Sequence, residues 1–90
     1  MATLHRLTTR HPELAELINR MCDEGDGVLL SGDACYHHQQ LHYIPVNAAL
    51  YALQEDLDAR AINIDRAVYD CVDFDGFVEL TIQYDKVVSW

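Results

Sequence analysis

The feature that most constrains the fold is a short apolar run between two glycine-containing turns. Val28-Leu29-Leu30 is preceded by Glu24–Gly27 and followed by Gly32-Asp33. A strand with one face in water alternates apolar and polar side chains, and this run does not alternate. The run therefore predicts a strand over Asp26 to Ser31 that is buried on both faces, as in the centre of a parallel α/β sheet.

Strand-like and helix-like segments alternate along the rest of the chain. Leu14, Leu17, Ile18 and Met21 fall on one helical face, and Cys22 extends it as a small core residue. Further strands are predicted at Ala2–Leu7, Ala48–Leu53, Ala67–Val72 and Val87–Trp90, and further helices from Ala34 to about Gln40, over Gln54–Arg60 and after Asp73 or Asp75. This alternation predicts a single domain over residues 1–90, with a mostly parallel sheet, right-handed crossovers and a small three-layer, flavodoxin-like α/β arrangement.

Two local features complete the prediction for the helices. Asp33 is expected to cap the short helix that follows the central strand. In the last helix, five residues at helical spacing predict a buried stripe. These residues are Phe74, Phe77, Val78, Thr81 and Ile82.

The charge balance narrows the range of partners. The chain has 15 Asp and Glu against 6 Lys and Arg, a formal net charge of -9. Nucleic-acid binding depends on Lys and Arg that displace counterions, so direct nucleic-acid contact is not expected. A positively charged protein is the more natural partner. A chain of 90 residues also builds a marginal core, which favours oligomerisation.

The cysteines and the apolar runs indicate the compartment. Cys22, Cys35 and Cys71 form no C-x-x-C pair, and their odd number does not suggest a secreted disulfide scaffold. The amino-terminal residues lack the apolar core of a signal peptide, and no run reaches membrane-spanning length. A cytoplasmic location without membrane contact is therefore expected.

Cys35 is the candidate thiol, because it follows a strand near the start of a predicted helix. That position lowers a thiol pKa and would suit a persulfide carrier, although a small buried residue is the simpler interpretation. Cys35, His38 and His42 have the spacing i, i+3 and i+7, which would allow a zinc or copper site on a continuous helix, with His37 nearby. A solvated, histidine-rich loop explains the same residues without a metal.

Other polar and aromatic residues do not define a reaction. The carboxylates at Asp56, Asp58, Asp70, Asp73 and Asp75 are typical of helix caps and solvated faces. No P-loop, Ser-His-Asp order or G-x-G-x-x-G motif is present, so no enzyme class follows from motifs and no cofactor is expected. Trp90 is notable because a bulky ring at a chain end frays unless something holds it.

Several segments of the chain resemble the TusB/DsrH family in order and in spacing. They are Leu4-His5, the run Glu24–Leu30 with Gly32–Ala34, Tyr51–Arg60, and Val72–Thr81 with the terminal Trp90. Two positions depart from the family pattern. Ala61 stands where the family usually has glycine, and Gly76 stands where it has a less flexible residue.

The resemblance implies a DsrEFH-like fold and a role as one subunit of a cytoplasmic sulfur relay. Its partners would be homologous TusC-like and TusD-like subunits in a heterohexamer that passes persulfide sulfur toward 2-thiolation of the tRNA wobble uridine. The main sulfur-carrying cysteine belongs to another subunit of such complexes, so this chain would be structural and have no catalytic activity alone. A DsrEFH-type relay for sulfur oxidation, or a sulfur carrier using Cys35, are the alternatives, and the isolated chain could form a homo-oligomer.

Overall fold

The computed structural model describes residues 2–9, 13–39 and 48–90. Five strands in these ranges form one sheet: β1 (Thr3–Leu7), β2 (Gly27–Leu30), β3 (Ala49–Leu53), β4 (Asp70–Val72) and β5 (Lys86–Ser89). The connecting elements are α1 (Leu14–Met21), a 3₁₀ segment (Gly32–His37), α2 (Gln54–Ala59) and α3 (Phe74–Gln83). None of the helices in the described ranges has the length and apolar character needed to cross a membrane.

The sheet is parallel throughout, with the strand order β4-β3-β2-β1-β5. β2 lies at its centre, and all four of its residues are buried. The predicted α/β class with a parallel sheet is therefore confirmed, and the unbroken apolar run does mark a strand covered on both faces.

The two faces of the sheet are covered unequally. On one face, side chains from α1, the 3₁₀ segment and α2 pack over strand residues such as Val28. These side chains are Ile18 in α1, Cys22 just after it, Cys35 and Leu57. On the other face, α3 packs over the second core cluster. That cluster joins Leu80, Phe77 and Tyr84 to Leu4 and Leu29. Of the described helices, α3 alone lies on the second face, because the step from β4 to β5 runs across the sheet in the direction opposite to the other steps.

The prediction of a buried stripe on α3 is wrong for three of its five residues. Phe74, Val78 and Ile82 are 62%, 42% and 79% exposed. The sheet is instead contacted by Phe77 and Leu80, so α3 is apolar on two sides. Spacing alone could not tell which apolar side faces the sheet. Met21 of α1, predicted to be in the core, is also half-exposed.

The segment after β2 also differs from the prediction. It forms a 3₁₀ helix over Gly32–His37 rather than a helix from Ala34. Its N-cap Ser31 makes no side-chain cap bond, because its hydroxyl donates to the Leu7 carbonyl at 3.0 Å. Asp33 lies inside the segment and accepts from Arg60 instead of capping it.

The end of α2 is a Schellman motif with alanine at the left-handed position. Ile62 N–H donates to the Leu57 carbonyl at 3.0 Å, and Ala61 N–H donates to the Asp58 carbonyl at 3.2 Å. Ala61 has φ +50°, a conformation that glycine adopts without cost. This geometry explains why glycine would be favoured at this position.

Gly27 allows the close approach of α3 to the sheet. A Cβ on Gly27 would collide with the Tyr84 hydroxyl and lie 2.7 Å from its ring carbon Cζ. The Tyr84 and Tyr51 hydroxyl oxygens are 3.2 Å apart above it, and their rings pack edge to face. The glycine at the start of β2 therefore makes room for the residue that ends α3.

Candidate functional site

The 3₁₀ segment at the carboxyl end of β2 contains Cys35, the candidate thiol predicted from the sequence. Gly32 begins this segment with φ +55° and donates its N–H to the Asp56 carboxylate at 2.7 Å. Ligand sites of open parallel sheets lie at this edge, outside the carboxyl ends of the strands. The contact ties the loop after β2 to the first turn of α2.

Cys35 points into the core rather than to the edge of the sheet. Its side chain is fully buried, in the cluster that includes Val28 and Leu57. The pKa of the Cys35 thiol is raised to about 11, mainly by burial and also by the Asp56 carboxylate, while Arg60 has the opposite effect. Persulfide transfer needs an accessible thiolate, and a buried thiol with this pKa is neither accessible nor ionised at neutral pH.

Arg60 holds the carboxylates around this loop. Its Nε donates to Asp33 Oδ1 at 3.0 Å, and its Nη1 donates to the Asp56 carbonyl at 3.2 Å. The same Nη1 lies 3.7 Å from Asp56 Oδ1. Asp56, a candidate carboxylate from the sequence, thus accepts from a loop N–H and pairs with an arginine. The other carboxylates at strand and helix ends are exposed, and Asp73 caps α3 by accepting from Gly76 N–H at 2.7 Å.

In the described part of the chain, neither Cys35 nor His38 belongs to a group of three possible metal ligands. His42 lies outside the described residues. His38 lies one 3₁₀ turn after Cys35, to whose carbonyl its backbone N–H donates at 3.3 Å. Its carbonyl accepts a hydrogen bond of 2.6 Å from the buried hydroxyl of Tyr69, and His37 is buried. The third thiol, Cys71 in β4, is half-buried.

A second polar cluster, formed by His5 and Asp26, is buried and was not predicted from the sequence. His5 Nε2 and Asp26 Oδ2 are 3.0 Å apart, and both side chains are 5% exposed. Asp26 also accepts from the backbone N–H groups of Thr3, at 2.9 Å, and of Asp23, at 3.0 Å. One carboxylate therefore joins the start of β1 to the turn that precedes β2.

Trp90 completes this cluster and fixes the tautomer of the histidine. Its indole Nε1–H donates to His5 Nδ1 at 3.2 Å. An indole nitrogen can only donate, so Nδ1 is the acceptor and Nε2 carries the proton that is donated to Asp26. The Trp90 backbone is also held, because its N–H donates to Arg6 and its carbonyl accepts from Thr8. One signal of this arrangement was visible in the sequence, because the bulky Trp90 ring was expected to need a partner.

Burial and hydrogen bonding have opposite effects on Asp26. Burial alone would raise the pKa of its carboxyl group. The N–H groups of Thr3 and Asp23 and the His5 ring outweigh that effect and leave the pKa below its usual range. The carboxylate is therefore charged at neutral pH, where it accepts all three hydrogen bonds.

Cys22 adds a third possible metal ligand to His5 and Asp26. One ligand atom from each of the three residues lies within 4.8 Å of the others, and all three residues are buried. The tautomer argues against coordination. A metal on Nε2 would move the ring proton to Nδ1, where it would face the donor of Trp90. Burial also raises the pKa of the Cys22 thiol to about 11, with smaller contributions from Asp26 and Asp23.

Comparison with known proteins agrees with this α/β architecture. The model of the DsrH like protein family matches residues 9–87. The chain belongs to the DsrH-like family. This match includes α1, the central strand with its Asp26 turn, the 3₁₀ segment and α3.

The DsrH-like chain also resembles a curated relative from Photorhabdus laumondii subsp. laumondii, named Protein TusB. The two sequences are 32% identical over 85 residues, which cover 82% of this chain and 84% of the relative. The TusB/DsrH resemblance of the sequence segments is confirmed by both comparisons.

Proposed function

We propose that this DsrH-like chain is a structural subunit of a cytoplasmic sulfur relay that supports 2-thiolation of the tRNA wobble uridine. Its family membership over residues 9–87 is the observation that carries this proposal. In this proposal, homologous TusC-like and TusD-like subunits form a heterohexamer with it, and the sulfur travels on a cysteine of one of them. The similarity to Protein TusB favours this pathway over sulfur oxidation.

The placement of the thiols supports a structural role within the relay. Cys22 and Cys35 are buried, and burial raises the pKa of each thiol to about 11. A sulfur-carrying thiol has to ionise and to reach the active site of a donor and of an acceptor. The net charge of -9 also disfavours direct tRNA contact, so the tRNA would be bound elsewhere in the assembly.

Genetic replacement in the native organism tests the proposal. Deleting the gene is expected to remove most 2-thiouridine from the affected tRNAs, measured by mass spectrometry of digested tRNA. A variant with all three cysteines replaced by alanine is expected to restore it, because no thiol of this chain carries the sulfur. A thermal melt of the purified variant confirms that it is folded.

Three results would contradict this function in different ways. Unchanged thiolation after deletion, with loss of sulfur oxidation, would assign the chain to the other relay. A folded cysteine-free variant that fails to restore thiolation would make the chain a sulfur carrier. Recovery of the untagged protein from its own cells as a homo-oligomer, seen by native mass spectrometry, would exclude the hetero-oligomeric relay.

A further inference from the structure

The outer side of α3 carries an apolar ridge that no described part of the chain covers. Phe74, Val78 and Ile82 are spaced four residues apart, so they line up along one side of the helix. They are among the most exposed large apolar side chains in the described residues. The side of α3 that faces the sheet is already used, because Phe77 and Leu80 pack there, and the Phe77 ring also contacts Phe74 edge to face.

The sheet face under α3 is also only partly covered. Five strands span about 19 Å from one edge strand to the other, whereas a helix with its side chains is about 10 Å wide. Of the described helices, α3 alone packs on this face. Tyr51 and Val72 beside it are only partly buried. A parallel sheet is stable when both faces are covered, so this side is suited to a protein partner.

The charge around the ridge determines what kind of partner fits. Asp75 and Glu79 lie beside it on α3, Asp73 caps the helix, and all three are exposed. α3 itself contains no Lys or Arg. The nearby cation of β1, Arg6, lies 5.0 Å from the Phe77 ring and donates to the Ser31 hydroxyl. A second copy docked by the same ridge would bring these carboxylates against their equivalents, which like-charge repulsion disfavours. A different chain, with an apolar patch bordered by Lys and Arg, fits both the ridge and its rim.

We infer that the ridge formed by Phe74, Val78 and Ile82 is the surface by which this chain docks onto a sister subunit with a basic rim. The inference rests on the proposed function, because that function supplies the sister subunits. It adds the face of the chain that makes the contact and the chemistry of the surface that receives it. Apolar residues at the centre supply most of the affinity, and the carboxylates set the choice of partner and the rate of association.

The test compares two neighbouring positions on α3 in a complex with the TusC-like and TusD-like proteins of the same organism. Ile82→Glu places a charge on the ridge, and Gln83→Glu makes the same change in charge at an exposed position next to it. Ile82→Glu is expected to weaken assembly about tenfold or more, which corresponds to about 1.4 kcal/mol. Gln83→Glu is expected to stay within about twofold of wild type. Affinity is measured by titration with native mass spectrometry.

A charge variant examines the rim separately. Glu79→Lys is expected to weaken assembly several-fold at about 0.05 M salt and much less at about 0.5 M salt, where charges are screened over a few ångströms. A matched Glu16→Lys change in α1, on the other side of the sheet, is expected to have little effect. Circular dichroism shows whether each variant is folded, and Val78→Ser, which adds no charge, replaces Ile82→Glu if that variant unfolds.

The possible results distinguish a failure of the docking inference from a failure of the proposed function. If the wild-type complex forms and Ile82→Glu assembles equally well, the docking surface is wrong and the relay function stands. If wild type alone forms a dimer that Ile82→Glu dissociates, the occupant is a second copy and the inference is overturned. If wild type does not assemble with the sister subunits, the proposed function fails and the docking inference fails with it.

Discussion

Replacing Asp26 with asparagine should destabilise the protein far more than the small change in size suggests. With its carbonyl oxygen at the place of Oδ2, the asparagine can still accept from the Asp23 N–H and from His5 Nε2. Its NH₂ group then takes the place of Oδ1 and faces the N–H of Thr3, which loses its acceptor. The two remaining hydrogen bonds lose the charge of their acceptor and become weaker.

Turning the amide over does not relieve the conflict. Its NH₂ group would then face two donors, the Asp23 N–H and His5 Nε2–H, and moving the His5 proton to Nδ1 would place that proton against the indole N–H of Trp90. An unsatisfied buried donor costs about 1–3 kcal/mol, and the two weakened hydrogen bonds add to this cost. The expected loss in the free energy of unfolding is therefore about 2–4 kcal/mol. In a domain of this size that loss lowers Tm by roughly 10–25 °C.

Urea denaturation, followed by circular dichroism and by the fluorescence of the single tryptophan, measures this loss. Asp23→Asn is the matched control, since it removes the same charge three residues away from an exposed side chain. It should change the free energy of unfolding by less than about 0.5 kcal/mol. Equal losses for the two variants would refute the argument from buried hydrogen bonds.

The pH dependence gives an independent readout of the same carboxylate. Because the pKa of Asp26 is lower in the folded than in the unfolded protein, its contribution is fully present above the unfolded value of about 3.9. The contribution is lost as the pH falls through the lower folded value. Wild-type stability should therefore fall more steeply below about pH 4 than that of Asp26→Asn, and parallel curves would contradict this assignment.

Three further outcomes are expected. Ala61→Gly should raise the free energy of unfolding by about 1 kcal/mol, because glycine removes the cost of the left-handed conformation at φ +50°; a decrease in urea denaturation would contradict this. Gly27→Ala should lower the free energy of unfolding by about 1–3 kcal/mol, because the new Cβ collides with the Tyr84 hydroxyl. Adding Tyr84→Phe should recover part of this loss, and strictly additive losses in the double variant would show that the collision is not the cause. Iodoacetamide at pH 8 should label Cys71 in the folded protein well before Cys22 and Cys35, and mass spectrometry showing early labelling of Cys35 would reopen its role as a sulfur carrier.

The central strand and α1 could be predicted, because each depends on the spacing of neighbouring apolar residues. The unbroken Val28-Leu29-Leu30 run located the central strand, and the helical spacing around Ile18 located α1. The strand order could not be read in the same way, because it depends on which distant strands pair. The buried side of α3 was assigned wrongly, since apolar residues on both sides of a helix give two equally good stripes.

The two polar clusters show why the candidate site was harder to predict than the fold. Cys35 was identified from its position after a strand, but only the packing of Leu57 and its neighbours shows that the thiol points inward. His5, Asp26 and Trp90 were not linked, because their contacts join residues 21 and 85 positions apart. No local spacing records such contacts.

Under the proposed function, the described residues are arranged differently from those of a subunit that carries out chemistry. A catalytic subunit keeps its titratable groups at an accessible cleft and its apolar side chains inside. In the described residues, two of the three thiols and the His5–Asp26 pair are buried; Asp26 accepts from the start of β1, and His5 accepts from the Trp90 indole. Phe74, Val78 and Ile82 remain outside. Under the proposed function, variants that abolish sulfur transfer without unfolding the chain should therefore cluster on the α3 ridge rather than at its cysteines.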